Sequence, residues 1–377
     1  MIDISVVVPT WNVSNYICDC LDSILAQKHV NVEIIIVNRA GTDGTEKLVE
    51  EYTCEHKNIT AEFLPSDTDL VTQRNTGILM AKGEYIAFCD ADDILPEDKN
   101  VYFSMLNKAR REKADLLVGN FYRERNGERY RDVFKGTGFE RCMQRINLAF
   151  WNKLFRRQFI MDNHIMLPKG INTFEDAVFC VEFLLKEPKI SCLDRFVYVY
   201  RENRLDDEGE YQTNHNVHLE KVVWDMKALE WVSLKKYKDN IPSWTNLYFQ
   251  MMNMCYWFSW MRMKNTDEKR EAFLTFQETL KNINQHSKIG KIDTEEKEQR
   301  FAEIVGMDIL SFLSISYDQY MFYRLLTRTP CAQPPVTQQQ ASPESVVQMA
   351  YSGQIGMKTI IKCIMGWIKY KLHRKHH

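Results

Sequence analysis

Short apolar runs alternate with amphipathic segments through the N-terminal part of the chain. Residues 4–9, 33–37 and 85–88 are rich in β-branched and aromatic side chains, a pattern typical of buried strands. Residues 17–25 repeat apolar side chains at helical spacing, and Ser14 is expected to cap this helix. Strands that alternate with helices through short loops predict an α/β fold with a doubly wound, mostly parallel sheet. Ligands of such sheets lie outside the carboxyl ends of the strands.

The pattern changes several times beyond this region. Residues 100–205 mix further strand and helix signals, whereas the residues from 206 onwards are helical and rich in aromatic residues and methionine. Residues 329–352 are enriched in Pro, Gln and Ser, which is typical of a linker. We therefore predict an α/β domain over 1–205 with halves 1–99 and 100–205, a helical region over 206–328, a flexible linker over 329–354 and a basic amphipathic tail over 355–377.

Composition narrows the class of protein. The chain has 377 residues, 45% of them hydrophobic and 27% charged, with a formal net charge of −2. This balance gives no support for nucleic acid as a partner. Its ten cysteines do not fall into the paired spacing of a zinc site, and no signal-peptide pattern begins the chain, so we expect reduced thiols in the cytosol. No apolar run reaches the roughly 18–20 residues that span a bilayer.

The most informative motif is Asp90-Ala91-Asp92-Asp93, which follows the predicted strand 85–88 directly. Carboxylates at the end of a buried strand are costly to desolvate unless a cation meets them. The Asp-x-Asp spacing suits a hard divalent cation such as Mn²⁺ or Mg²⁺, which keeps coordination positions for phosphate oxygens. The motif therefore predicts a site for a metal and a phosphorylated ligand.

Several further motifs occur in an order that resembles glycosyltransferase family 2, whose domain has the GT-A nucleotide-sugar-binding fold. The resemblance covers about residues 1–205 and depends on the ordered set more than on any single motif. The matching segments are Val6-Val7-Val8-Pro9-Thr10-Trp11-Asn12, Gly41-Thr42-Asp43-Gly44-Thr45, Arg74-Asn75-Thr76-Gly77, Ala81-Lys82-Gly83-Glu84-Tyr85-Ile86, the Asp90 motif, Trp151-Asn152-Lys153-Leu154-Phe155 and Phe174-Glu175-Asp176.

The resemblance implies an inverting transfer of a sugar from a nucleotide donor. By this likeness Asp90 and Asp92 flank a Mn²⁺ or Mg²⁺ ion and the diphosphate, and Asp92 is favoured over Asp90 as the direct metal ligand. Asp176, beside Glu175, is implied as the general base that deprotonates the acceptor hydroxyl. Trp151 and Lys153 are expected to border the acceptor cleft, with a place in the core as the alternative for Trp151. The donor-binding residues implied in this way are Pro9, Thr10, Asn12, Arg39, Asp43, Asp67, Arg74, Asp90 and Ala91.

Two of these positions have competing interpretations. Arg74 either pairs with a phosphate or braces an aspartate. Arg39 stands where the family usually has an acid that reads the nucleotide base, and a guanidinium has only hydrogen-bond donors. Either Arg39 turns toward the diphosphate while Asp67 or Asp69 reads uracil, or the donor carries cytosine, or donor binding has been lost.

The basic tail 355–377 adds a membrane signal. Its lysines and arginine occur without any acid, and its apolar residues fall on one face if it is helical. We therefore expect a cytoplasmic protein, held peripherally at the inner face of the cell membrane, that extends a glycan or lipid-linked glycan. A UDP-sugar is the favoured donor, with CDP or GDP as alternatives. The alternative function is a catalytically inactive GT-A scaffold or assembly partner at the membrane.

Overall fold

The computed structural model describes residues 2–143, 148–202 and 217–327 of the chain. The predicted linker 329–354 and the predicted tail 355–377 lie outside these residues. The described residues divide into two compact units. The first takes its residues from Met1–Asn216 and Lys227–Leu247, and the second takes its residues from Val217–Met226 and Tyr248–His377.

The first unit is built on an eight-stranded mixed sheet. Its strands run in the order β3-β2-β1-β4-β7-β5-β6, and β8 also pairs with β5. The strands β1, β2, β3 and β4 pair with one another in parallel, and β5 pairs with β8 in parallel. Strand β7 is antiparallel to β4 and β5, and β6 is antiparallel to β5. The predicted α/β class with a mostly parallel, doubly wound sheet is thus confirmed. The strands are β1 (Ile4–Thr10), β2 (Val32–Arg39), β3 (Ile59–Leu64), β4 (Tyr85–Phe88), β5 (Leu116–Arg125), β6 (Glu128–Asp132), β7 (Lys153–Arg156) and β8 (Ile190–Arg201).

Helices cover this sheet and bury its apolar strands. Strands β1 and β4 are buried along their whole length, as expected for parallel strands covered on both faces. The helices of this region are α1 (Ile17–Leu25), α2 (Thr45–Glu55), α3 (Leu70–Met80), α4 (Val101–Glu112), α5 (Gly138–Cys142), α6 (Arg157–Asp162) and α7 (Glu175–Leu184).

Helix α3 is fixed tightly against the ends of β1 and β2. The Gln73 side-chain amide donates to the carbonyl oxygens of Thr10 (2.9 Å) and Val37 (2.8 Å). A Cβ on Gly77 would lie 2.2 Å from Val7 Cγ1, so glycine is required for this close approach. These contacts hold Arg74, which follows Gln73 in α3, near the carboxyl edge of the sheet.

The expected Ser14 cap is wrong. Helix α1 begins at Ile17 with Tyr16 in the N-cap position, and no side chain caps it. The backbone N–H of Ser14 instead donates to Asp43 Oδ2 at 2.7 Å. Ser14 therefore joins the loop after β1 to the loop after β2.

The C-terminal part of the described chain is helical, as predicted. In the second unit, the buried rings of Phe273 and Phe312 lie 5.4 Å and 5.1 Å from the ring of Tyr320, between centroids. The described residues contain no helix with the length and apolarity needed to cross a membrane. The helices after the sheet are α8 (Leu219–Ser233), α9 (Ile241–Met254), a π-helical turn (Cys255–Ser259), a 3-10 turn (Trp260–Arg262), α10 (Thr266–His286), α11 (Glu295–Val305), α12 (Ile309–Ser314) and α13 (Tyr317–Thr327).

Candidate active site at the carboxyl edge of the sheet

The acidic motif forms a turn at the carboxyl end of β4, which we call the acidic turn (residues 90–93). The backbone N–H of Asp93 donates to the carbonyl of Asp90 at 3.0 Å, which closes the turn. Asp93 is fully buried, and its carboxylate accepts from the hydroxyl of Tyr198 (2.9 Å) and the backbone N–H of Arg201 (2.8 Å). Asp90 and Asp92 are only partly buried. The turn therefore buries its third carboxylate as support, while its first two acidic residues are partly exposed to solvent.

Arg74 connects the acidic turn to the start of α7. Its Nη2 atom lies 2.9 Å from Asp90 Oδ1 and 3.4 Å from Glu175 Oε1, and the side chain is 5% exposed. The guanidinium also lies 4.5 Å from the centroid of the Phe150 ring. Of the two interpretations of Arg74, these contacts correspond to bracing an aspartate. We call this pair of contacts the Arg74 bridge.

Glu175 and Asp176 begin helix α7 after a strained residue. Phe174, the N-cap residue, has a φ of 56° in the left-handed region, which is rare for a bulky side chain and frequent at functional sites. Asp176 Oδ1 accepts the backbone N–H of Ala177 at 2.7 Å. The N-terminal end of a helix favours negative charge, which suits both carboxylates.

Burial raises the pKa of both carboxylates toward neutrality. The pKa of Glu175 rises to about 7, although the positive charge of Arg74 opposes this shift. The pKa of Asp176 rises to about 6, opposed by the hydrogen bond from the Ala177 backbone and by Arg74. A carboxylate that titrates near neutral pH is well matched to accepting a proton during catalysis.

The loops after β1 and β2 hold each other in place. Thr10 is buried, and its hydroxyl donates to Asn38 Oδ1 at 2.8 Å. Asn12 Oδ1 accepts the backbone N–H of Thr42 at 2.9 Å. A Cβ on Gly41 would lie 2.2 Å from the same Asn12 oxygen, so only glycine leaves room for this contact. The loops after β1 and β2 form one side of the site, which we call the loop edge. Thr10 and Asn12 shape this loop edge through hydrogen bonds within the protein.

Asp43 is also used inside the protein. Its carboxylate accepts the backbone N–H groups of Ser14 (2.7 Å) and Thr45 (3.0 Å). Burial alone would raise the pKa of Asp43, but these hydrogen bonds outweigh it and lower the pKa. Asp43 therefore remains ionised and fastens the start of α2 to the loop after β1.

Arg39 lies across the ring of Trp11. The Arg39 Cζ atom is 3.7 Å from the Trp11 ring centroid, and Nη1 donates to the carbonyl of Thr68 at 3.1 Å. Trp11 is 49% exposed, so the pair lies at the surface of the loop edge. Asp69 caps helix α3 through its side chain, whereas Asp67 is exposed. Of the two acids considered for contact with the nucleotide base, Asp69 is thus bound within the protein and Asp67 is exposed.

The two residues expected at the acceptor cleft are buried. Trp151 is 8% exposed and stacks on Tyr198 with ring centroids 4.5 Å apart. Lys153 is 1% exposed, and its ammonium group donates to the carbonyl of Ala149 and to Asn152 Oδ1. Burial lowers the pKa of Lys153. Side chains placed so deeply offer little surface to an acceptor, and their contacts indicate a supporting role.

The structure brings together Arg74, Asp90 and Glu175 of the residues singled out in the sequence, and it adds two. Pro9 and Ala91 are buried beside the loop edge and within the acidic turn. The residues that the sequence did not reveal are Tyr198 and Arg201. Only their long-range hydrogen bonds to the acidic turn distinguish them, and such bonds leave no signal in a single sequence.

The N-terminal part of the chain is similar to known proteins. Residues 5–168 match the model of Glycosyl transferase family 2. Glycosyltransferase GlyA of Streptococcus pneumoniae is 28% identical over 218 residues, which are 52% of this chain and 30% of GlyA. Glycosyltransferase GlyG of the same organism is 27% identical over 219 residues, which are 52% of this chain and 70% of GlyG. The chain thus spans less than a third of the length of GlyA.

A solved structure supports the fold. Residues 1–349 of TarS from Staphylococcus aureus, crystallised with UDP-GlcNAc, superpose with a TM-score of 0.64 and 19% identity, covering 86% of this chain and 92% of that one. TarS is described as a poly(ribitol-phosphate) beta-N-acetylglucosaminyltransferase, 25% identical over 219 residues that are 57% of this chain and 37% of TarS.

The sheet and this likeness define a GT-A fold. Residues 5–168, less than half of the chain, match glycosyltransferase family 2.

Proposed function

We propose that this protein is a metal-dependent, inverting glycosyltransferase of the hexosyltransferase type. It moves a sugar from a nucleoside-diphosphate donor to a hydroxyl of a growing cell-surface glycan. The observation that carries the proposal is the Arg74 bridge, because one buried guanidinium joins Asp90 of the acidic turn to Glu175, the neighbour of Asp176. Carboxylates for donor activation and for acceptor deprotonation therefore belong to one site.

In the proposed reaction Asp176 is the general base. Its carboxylate accepts the proton of the acceptor hydroxyl while the hydroxyl oxygen forms a bond to the anomeric carbon. The bond from that carbon to the nucleoside diphosphate breaks on the opposite side, so the configuration inverts. The pKa of about 6 leaves Asp176 largely ionised at neutral pH. Arg74 contacts Glu175 beside it and holds the start of α7 in place.

The chemistry of the acidic turn fits a divalent metal. Asp90 and Asp92 would hold Mn²⁺ or Mg²⁺, since both carry hard carboxylate oxygens and are only partly buried. Within residues 2–143, 148–202 and 217–327, no three acidic, histidine or cysteine side chains cluster as a metal site. One or two carboxylates completed by phosphate oxygens are, however, the usual ligands of Mg²⁺. A bound metal supplies Lewis-acid stabilisation of the departing diphosphate.

A UDP-sugar is the favoured donor, on the strength of the TarS complex with UDP-GlcNAc. Arg39 leaves this choice open, because its guanidinium can donate to acceptor atoms of a base but cannot accept the uracil imino N–H. If the donor carries uracil, the exposed Asp67 is better placed to read it than Asp69, which is engaged as a helix cap. CDP and GDP remain alternatives.

Calorimetric binding of UDP, GDP and CDP, each with and without Mn²⁺, tests the donor site. We expect one nucleotide to bind in a Mn²⁺-dependent manner, and the Asp92→Ala variant to lose that dependence. Glu50→Ala, which removes an exposed carboxylate from α2, is the matched control and should bind as the wild type does. Absence of binding by every nucleotide under both conditions would contradict the proposal.

One observation favours a second candidate function, an inactive GT-A scaffold. Arg39 already covers one face of Trp11, at the loop edge where the base of a donor is expected. If that contact closes the base site, the chain has kept the fold without donor binding. The calorimetric experiment separates the two functions, because a scaffold binds none of the three nucleotides.

The proposed acceptor is a glycan or lipid-linked glycan at the inner face of the cell membrane. The tail 355–377 carries Lys358, Lys362, Lys369, Lys371, Arg374 and Lys375, and basic residues near anionic lipid contribute about 1 kcal/mol each. We expect the full chain to sediment with anionic phosphatidylglycerol vesicles at low salt, and the truncated chain 1–354 to bind them far more weakly. Neutral phosphatidylcholine vesicles serve as the control. Equal partitioning of both chains would refute membrane docking through the tail.

A further inference from the structure

Arg201, the last residue of β8, forms hydrogen bonds with the acidic turn. Its Nε donates to the carbonyl of Asp92 at 2.6 Å, and its backbone N–H donates to Asp93 Oδ1 at 2.8 Å. Its Nη1 lies 3.1 Å from Asp19 Oδ2 of helix α1, and its guanidinium is 5.2 Å from the Tyr16 ring centroid. One arginine therefore joins the acidic turn to both β8 and α1.

Tyr198 supports the same turn through its buried hydroxyl group. The buried Tyr198 hydroxyl donates to Asp93 Oδ2 at 2.9 Å and accepts the backbone N–H of Asp90 at 3.0 Å. The ring of Tyr198 stacks in turn on Trp151. Tyr198 thus binds the backbone of Asp90, and Arg201 binds the backbone of Asp92. These are the two residues that are proposed to hold the metal.

The position of Arg201 is costly for stability alone. Its side chain is 14% exposed, and its buried Nη2 atom has no hydrogen-bond partner in the part of the chain that the structure describes. A buried donor without a partner lowers the stability of the folded state. The Nε atom of the same guanidinium, by contrast, donates to the carbonyl of Asp92. Hydrogen bonds from charged donors are about twice as strong as those between neutral groups. This cost and this strength suggest that the contact with Asp92 matters for function.

We propose that Arg201 is a positioning residue for the metal–diphosphate site, which it preorganises by fixing the Asp92 backbone and the Asp93 side chain. The inference rests on the proposed function and deepens it. Residues that hold metal ligands in place commonly change metal affinity by about 10–100-fold when they are replaced. Arg201 makes no direct contact with a substrate in this account, and it acts through Asp92.

Hydrogen exchange of the turn tests the positioning directly and needs no ligand. In Arg201→Met we expect the amides of residues 90–94 to exchange on the order of tenfold faster than in the wild type. Arg195→Met is the matched control, since Arg195 lies on the same strand but pairs with Asp98 and Ser104. It should leave exchange in the acidic turn unchanged. Unchanged exchange in Arg201→Met would overturn the proposal.

Metal titration distinguishes positioning from a merely structural role. Mn²⁺ binding is followed by electron paramagnetic resonance, with the metal alone and with the nucleotide selected by calorimetry. We expect Arg201→Met to weaken Mn²⁺ binding by about 10–100-fold, and Arg201→Lys, which keeps the charge, to weaken it less. Binding of the nucleotide without metal should change little in either variant.

Two outcomes separate this inference from the proposed function. If the wild type binds nucleotide with Mn²⁺ and Arg201→Met does so equally well, the inference fails while the proposed function stands. If the wild type binds neither Mn²⁺ nor any nucleotide, the proposed function fails and the inference fails with it. If Arg201→Met does not fold, Arg201→Lys decides, and wild-type Mn²⁺ affinity in that variant overturns the inference.

Discussion

Asp176→Asn is expected to lower the rate of sugar transfer by about 10²–10⁴-fold while leaving Mn²⁺-dependent nucleotide binding intact. The amide has nearly the shape of the carboxylate but cannot accept the proton of the acceptor hydroxyl. The loss should therefore appear in kcat and not in the affinity for the donor. Transfer is measured as nucleoside diphosphate released in the presence of an acceptor, and binding is measured by calorimetry.

Glu175→Gln is the matched control for Asp176→Asn. It also replaces one carboxylate at the start of α7, but Glu175 is bound to Arg74 and is not the proposed base. We expect a smaller loss of transfer in this variant. Equal losses in the two variants would assign the effect to the local charge, and full activity of Asp176→Asn would remove Asp176 from the mechanism.

The wild-type rate should also depend on pH in a defined direction. Burial raises the pKa of Asp176 to about 6, and the base must be ionised to act. The value of kcat/KM is therefore expected to rise as the pH increases through about 6. In Asp176→Asn the residual rate should lack this rise, because the titrating group is gone.

Much of this site is foreseeable from the sequence because its parts obey local rules. The strand Tyr85–Phe88 and the acidic turn follow from an apolar run that ends in carboxylates. Parallel strands then bring the loops after β1, β2 and β4 to one edge. The position of this candidate site could thus be predicted without knowledge of any long-range contact.

Burial and long-range contacts could not be foreseen in the same way. Lys153 begins strand β7 and Trp151 precedes it, and nothing local indicates that the charged side chain of Lys153 lies inside the core. Arg201 reaches the acidic turn from 109 residues away, and Glu175 meets Arg74 across 101 residues. Such pairs depend on sheet order, and β8 pairs with β5 outside the main strand order.

The Arg74 bridge explains why the site can hold several acids close together. Arg74 faces Asp90 and Glu175 directly, and its charge also lowers the pKa of Asp176. Without this charge, burial and mutual repulsion would favour protonation of the carboxylates, because each raises the pKa of its neighbours. A single buried cation therefore opposes the rise in the pKa of both Glu175 and Asp176, the proposed base.

Arg74→Met is accordingly expected to destabilise the protein by about 3–5 kcal/mol at pH 8, because it leaves Glu175 buried without its partner. The loss should shrink as the pH falls. Arg74 opposes the burial that raises the pKa of Glu175 to about 7, so its removal raises that pKa further. Below the pKa the carboxyl is neutral and no longer needs the cation. Urea unfolding at pH 8 and at pH 5 measures the difference.

The double variant Arg74→Met with Glu175→Gln makes this test specific. If the unpaired carboxylate causes the destabilisation, removing it should restore part of the free energy of unfolding at pH 8 and little at pH 5. Arg74→Lys keeps a positive charge and should lose less than Arg74→Met. A destabilisation that is equal at both pH values would instead assign the role of Arg74 to packing against Phe150, where a methionine can replace part of the contact.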